Sequence, residues 1–284
     1  MKVASLVVTP KSQDSDLRQA IQLQNVGISF RIAPDRTYEV LKNISFQASE
    51  HEFVAIVGPT GCGKSTILNA IAGLLKPSEG EVSIFGKPSA GTNTRAGYLF
   101  QQDSLMPWKT ALENVAVGLE VTGVAPGEAR ERAAGWLDKV GLSSFLDRYP
   151  HMLSGGQRKR VGLAQVLIRD PKILLMDEPF GPLDAQTRLI MSDLMLRLWS
   201  QDQKAVVFIT HDLEEAIALA DRVVILSAGP RSTIIGNYPV GLKRPRDLVE
   251  VKHEPLFREI HREIWNSLKD EVLKGYRQTA GVIG

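Results

Sequence analysis

Apolar residues follow two rhythms along this chain. Strand-like runs come first, at Leu23 to Phe30, Leu41 to Phe46 and Phe53 to Val57, with Ala33-Pro-Asp-Arg36 as a loop between the first two. Ser65 to Ala72 has helical spacing, Lys76 to Gly80 is a cluster of turn formers, and Glu81 to Phe85 and Gly97 to Phe100 return to strand character. From Thr110 to Arg169 the period changes. Glu113 to Val121, Pro126 to Val140 and Gln157 to Ile168 place apolar residues three and four apart, which predicts an inserted helical unit. Buried-strand runs then reappear at Ile173 to Met176, Ala205 to Ile209 and Arg222 to Leu226, with helices such as Ala185 to Trp199 between them. That alternation predicts a parallel core sheet.

The ends read differently. Residues 1–20, with Pro10, Lys11, Ser12, Gln13 and Asp14, are expected to be a poorly ordered leader, residues 21–238 the main domain (helical unit about 102–170), and 239–284 a helical tail. In that tail Glu254 to Lys274 sets Leu256, Phe257, Ile260, Ile264, Trp265, Leu268, Val272 and Leu273 on one broad stripe, which must cover something.

With 284 residues, 43% hydrophobic, and a net charge of +2, the composition is that of an ordinary soluble protein. No apolar run approaches the ~20 residues that cross a bilayer. The single cysteine, Cys62, has no internal disulfide partner. Only Arg158-Lys159-Arg160 and Lys243-Arg-Pro-Arg246 are densely basic, too short for a nucleic-acid footprint. The first reads as a solvated helix face, the second as solvated or a contact for anionic lipid headgroups.

Three motifs carry chemistry. Gly58-Pro59-Thr60-Gly61-Cys62-Gly63-Lys64-Ser65-Thr66 lies between a strand pattern and a helix pattern, the setting a phosphate-binding loop requires. Glycines let backbone N–H groups turn toward phosphate oxygens, the helix N-terminus adds a favourable dipole, Lys64 brings a point charge, and Ser65 a hydroxyl for Mg2+. Alkylation of Cys62 would block the loop. Leu153-Ser154-Gly155-Gly156-Gln157 reads as a serine-capped helix start. Ile173 to Met176 ends in Asp177-Glu178-Pro179, two carboxylates at a strand tip: Asp177 suits Mg2+, directly or through water, and Glu178 can orient or deprotonate an attacking water.

In this order the motifs resemble the ATP-binding cassette (ABC) ATPases, over roughly Ile21 to Ile235. The resemblance implies an α/β fold of the P-loop NTPase class: a mixed, largely parallel core sheet, an N-terminal antiparallel β-subdomain and the inserted α-helical subdomain. It implies ATP and Mg2+. It assigns Gln101, after Tyr98-Leu-Phe100, to Mg2+ contact and γ-phosphate sensing, and His211 to the γ-phosphate. Asp184, in Phe180-Gly-Pro-Leu-Asp184, falls in a loop that speaks across a dimer and also reads as the cap of the next helix. Asp212-Leu-Glu-Glu215 reads as a capping box. Phe30 matches the adenine-stacking aromatic, with Tyr38 as the alternative. The signature, aimed away from its own phosphate loop, would serve a second copy: Ser154, Gly155, Gly156 and Gln157 of one chain against ATP held by Lys64 of the other.

A narrower likeness rests on Pro107-Trp108-Lys109, Phe180 to Arg188, Arg244-Pro-Arg246 and Glu263-Ile-Trp-Asn-Ser-Leu268, which are similar to the nitrate, sulfonate and taurine importer ATPases. It implies membrane permease partners, an extracellular or periplasmic solute-binding protein reached indirectly, a peripheral place on the cytoplasmic face of the membrane, and no nucleic acid. Leu105, Met106 and Trp108, expected to be exposed, would line a groove for a short helix of the permease. Gly162 and Gln165 stand where that family usually has alanine and arginine, and Pro182 where it has alanine, which bears on helix packing and on the cross-dimer loop.

Overall fold

The computed structural model describes residues 18–280, with side chains described as far as residue 277. Its elements in chain order are β1 (Gln19–Ala33), β2 (Arg36–Ser49), β3 (Phe53–Val57), α1 (Lys64–Ile71), β4 (Glu79–Ile84), β5 (Lys87–Pro88) and β6 (Ala96–Leu99). Then follow α2 (Ala111–Glu120), α3 (Pro126–Lys139), α4 (Gly155–Leu167), β7 (Ile173–Asp177), α5 (Ala185–Gln201), β8 (Ala205–Ile209), α6 (Leu213–Leu219), β9 (Arg222–Leu226), β10 (Ile234–Pro239) and α7 (Pro255–Ala280). Except for residues 18–20, the expected leader lies outside the described residues. Gln19 already opens β1, pairing with Ser49.

β3 shows why the chain folds as it does. All five of its residues are buried, so no solvent face exists. Phe53, Ala55 and Val57 enter one core while Val54 and Ile56 enter the other, and β7, β8 and β9 divide their side chains in the same way. Alternation along an extended strand sends neighbours to opposite faces, and a sheet apolar on both needs a layer over each. One face is covered by α1 and the antiparallel sheet β2-β1-β4-β5, the other by α4 to α7. The core sheet has the order β10-β9-β3-β8-β7-β6, parallel except for β10. Phe53 meets Trp199 of α5 edge to face at 5.7 Å, a pairing that adds about 1 kcal/mol to the burial of the two rings.

The helices start where their caps allow. Thr110 and Glu113 close a capping box at α2, Pro126 supplies the first residue of α3, and Ser154 and Gln157 close a second box at α4. At α6 the expected box is only half made. Asp212 caps the N–H groups of Glu214 and Glu215, but the Glu215 carboxylate turns inward to Thr210 and Ser192.

β5 and β10 were not expected. β10 alternates half-buried and exposed positions along a sheet edge and contains Gly236, so its apolar content is too thin to mark it. The tail stripe is narrower than expected: Phe257, Ile260, Ile264 and Leu268 are buried, with Val272 against them, while Leu256, Trp265 and Leu273 are exposed.

Candidate functional site

Parallel strands align their carboxyl ends, and here those ends gather the chemistry. The phosphate loop follows β3, Gln101 follows β6, Asp177 and Glu178 end β7, and Thr210 and His211 follow β8. In the loop, Gly61 and Gly63 have φ of 77° and 96°, values closed to most side chains, and a Cβ on Gly63 would stand 2.6 Å from Leu41 Cδ2. Lys64 Nζ is folded back on the carbonyls of Gly58 and Pro59, at 3.0 Å each. The first N–H groups of α1 have no partner inside the helix, so the loop is a ready anion site.

Cys62 is buried in the core beneath the loop, its N–H donates to Pro59 O at 3.3 Å, and burial pushes its thiol pKa up. Alkylation there is therefore disfavoured by both access and ionisation.

Ser65 Oγ donates to Asp177 Oδ1 at 3.0 Å. The Tyr98 hydroxyl lies 3.2 Å from Asn69 Oδ1 and 3.4 Å from Asp177 Oδ2. Burial pushes the Asp177 carboxyl above its usual range, with the Glu178 charge adding to the rise and the two hydroxyls opposing it. A half-buried carboxylate held back from ionising fits a cation beside it. Among the described residues no cluster of three or more His, Cys, Asp or Glu could cage a metal. A hydroxyl and one carboxylate suit Mg2+, which takes its other ligands from phosphates and water.

Glu178 is a non-glycine residue at φ 43°, a left-handed conformation that costs of order 1–2 kcal/mol and swings the residue off the strand path. Its Oε2 lies 3.1 Å from His211 Nδ1. The pairing of β6 with β7 ends at Leu99 and Met176, the residue before Asp177, so Gln101 leaves β6 at the same end of the sheet as the two acids. Thus one half of the expected site is assembled within the chain.

The other half stands apart. α4 is the crossover helix between β6 and β7, so its N-terminus, with Ser154, also points to the carboxyl end of the sheet. α4 packs on β6, however, and β6 is three strand positions from β3, about 14 Å at ordinary spacing. Ser154 Oγ accepts from Gln157 N at 3.3 Å, and Gln157 Oε1 accepts from Ser154 N at 2.9 Å. A Cβ on Gly156 would stand 2.6 Å from Thr187 Cγ2, so a glycine lets α4 approach α5. Asp184 caps α5 through Thr187 N at 2.9 Å. Arg188 ties the loop before it to the Asp212 cap beside His211, donating to Leu183 O and pairing with Asp212.

Phe30 and Tyr38 are direct cross-strand partners, 41% and 44% exposed, so both aromatics share one face of the β1–β2 hairpin.

The basic clusters do not behave as expected. Lys159 is buried, with Nζ 2.5 Å from Gln101 O and 3.0 Å from Asp103 Oδ1, and Arg158 Nε donates to Asp103 Oδ2 at 2.8 Å. Arg246 donates to the carbonyls of Ile217, Ala218 and Ala220, and Arg244 to Leu219 O, closing the C-terminus of α6. Neither residue is presented to lipid. In the segment after Gln101, Asn114 holds Met106, Lys109 and Thr110 through backbone bonds of 2.7–3.1 Å. Leu105 packs on the core, Met106 is half-buried, and only Trp108 is fully exposed, at 72%. Nearby, a groove of about 560 Å³ between sheet edge and helical unit is lined by Leu74, Phe100, Met106, Val117 and Val121.

Sequence reading missed Tyr98, Asp103, Lys159 and Glu215. Each acts through a partner distant in the chain, and only the polar atom at a strand end or helix start hints at it.

The chain was compared with known proteins. Residues 41–181 match the family model described as ABC transporter. An uncharacterised ABC transporter ATP-binding protein of Methanocaldococcus jannaschii is 43% identical, covering 92% of this chain and 96% of its own. A taurine import ATP-binding protein of Rhizobium johnstonii is 40% identical over 86% of this chain and 94% of its own. Among solved structures, a dimeric post-hydrolysis ATP-binding cassette bound to ADP and Pi superimposes with a TM-score of 0.70 and 34% identity, over 78% of this chain and all of that one.

Proposed function

This chain belongs to the ATP-binding subunits of ABC transporters, and from that premise we propose that it hydrolyses ATP in a head-to-tail dimer to drive an importer. The observation that carries the dimer is the lateral offset of Ser154 from Lys64 along one end of one sheet. A two-fold axis turns that offset into a match, setting the signature of each copy over the phosphate loop of the other.

In this reading Lys64 leaves the carbonyls of Gly58 and Pro59 for the β- and γ-phosphates of ATP, and the N–H groups of residues 61–66 close on the phosphate oxygens. Ser65 and Asp177 would hold Mg2+, which supplies charge neutralisation for the phosphates. Phe30 and Tyr38 offer the aromatic face for adenine. Glu178 orients the attacking water and accepts its proton. His211, held by Glu178, and Gln101 face the γ-phosphate and the charge that develops there. Ser154, Gly155, Gly156 and Gln157 of the partner copy complete the pocket, with the partner's Asp184 beside them. Loss of the γ-phosphate removes the charge that both halves bind, and the dimer loosens.

Groove and loop suggest where that motion goes. A short helix of a membrane permease would seat between Leu74, Phe100 and Val121 and meet Trp108, coupling its position to Gln101. No helix among the described residues is long and apolar enough to cross a membrane, so the chain would be held peripherally, at the cytoplasmic face, by the permease. The likeness to a taurine import protein supports a small organic anion of the sulfonate kind as cargo, delivered by a solute-binding protein. A soluble ATPase acting on nucleic acid is the weaker reading, because the densest basic residues are spent on Asp103 and on carbonyls of α6.

The shared site is tested by complementation. Lys64→Ala and Ser154→Arg are each expected to be inactive. Mixed in equal amounts they recover about a quarter of wild-type hydrolysis, since half the dimers hold one intact composite site. A mixture as dead as its components would overturn the dimer.

A further inference from the structure

The tail reaches the nucleotide loop. In the last turns of α7, Gly275 lies so close to Pro59 that a Cβ there would stand 3.3 Å from Pro59 Cβ. One turn earlier Glu271 Oε2 accepts from the N–H of Ala228 at 2.8 Å and pairs with Lys274. Burial works against that carboxylate, but the bonds from Lys274 and Ala228 outweigh it and hold its pKa below the usual range. Ala228 opens the turn between β9 and β10. A Cβ on the next residue, Gly229, would stand 3.3 Å from Gly61 O and 3.7 Å from Cys62 Cα, inside the phosphate loop. The turn also bonds to β2: Arg231 N to Glu39 O and Ser232 N to Val40 O, both at 3.0 Å. The Val40 and Leu41 side chains in turn crowd Gly63. Ser232 Oγ, fully buried in this turn, finds no hydrogen-bond partner among the described residues.

We infer that Glu271 and Gly275 are positioning residues for ATP binding: α7 fixes Pro59 directly and, through the 228–232 turn, the Gly61–Gly63 stretch. A loop with two glycines at positive φ has many alternative shapes, and fixing its outer wall reduces the ordering that phosphate must impose. The inference rests on the reading of residues 58–66 as the ATP site.

The test uses the full chain and ADP, with ATP turnover alongside. Glu271→Ala is expected to raise the Kd for ADP and the KM for ATP about tenfold, the scale of one lost hydrogen bond to a charged group, while kcat at saturation stays. Glu271→Gln, which still accepts from Ala228, restores affinity to within about twofold. Gly275→Leu, a wedge against Pro59, weakens ADP in the same way. The inference is overturned if Glu271→Ala binds ADP like wild type, or if KM, kcat and the nucleotide-free Tm all deteriorate together. A wild-type chain that fails to bind ADP would instead sink the ATP site itself.

Discussion

The Lys159 ammonium, buried in α4, stands 3.0 Å from the Asp103 carboxylate in the loop after β6. It joins the segment of Gln101 to the helix of Ser154, which in the proposed dimer would serve different nucleotide sites. Bonds from Arg158 and Lys159 outweigh the burial of Asp103 and depress its pKa, so the bridge stabilises fully above the ordinary carboxylate range and is lost as pH falls through the lowered value. Asp103→Asn is expected to cost about 1–3 kcal/mol at neutral pH, with a gap from wild type that closes in acid, and to lower kcat while ADP affinity holds. Thermal melts against pH check the first part; an ADP affinity that falls with kcat would contradict the second.

Asp177 behaves in the opposite sense. Its pKa is raised, so its contribution is fully present below the ordinary carboxylate range and is lost as pH rises through the raised value. Asp177→Asn is therefore expected to melt no lower than wild type at neutral pH without Mg2+ or nucleotide, an advantage that vanishes in acid. The same variant loses Mg2+-dependent hydrolysis. Melting well below wild type at neutral pH would show the carboxylate to be structural.

Gly162 lies inside α4, where glycine costs a helix about 0.5–1 kcal/mol relative to alanine. A Cβ there would be 3.7 Å from Leu99 Cδ1, ordinary contact. Gly162→Ala should raise the Tm by about 1–4 °C, whereas Gly156→Ala, with Thr187 Cγ2 at 2.6 Å, should lower it. Differential scanning calorimetry of the pair decides, and equal shifts would refute the packing argument.

Trp108 is exposed on a loop that Asn114 holds rigid, so removing its ring sacrifices little packing. Trp108→Ala is expected to keep basal ATPase activity and to lose co-sedimentation with vesicles carrying the permease subunits. Undiminished co-sedimentation would take Trp108 out of the docking surface.

The parts of the site that sequence exposes are those whose chemistry is local. A phosphate loop, a pair of acids at a strand tip and a capped helix start are each written in consecutive residues, and β3 and β8 were delimited from apolar runs alone. What stayed hidden depends on closure of the chain. Lys159 reads as one of three solvated cations until β6 brings Asp103 to it, and Arg246 reads as surface charge until α6 ends beside it. Tyr98 is one more strand residue until Asp177 lies next door. The departure at Gly162 bore on helix packing, and the space around it now answers that.

The contact of Gly275 with Pro59 also orders events in time. During synthesis β3, the phosphate loop and α1 emerge early, while Gly275, set against Pro59, emerges only after every strand of the two sheets. Domains take shape as chain becomes available, and contacts between remote segments close last. A nascent chain would thus carry a phosphate loop without its outer wall until α7 leaves the ribosome.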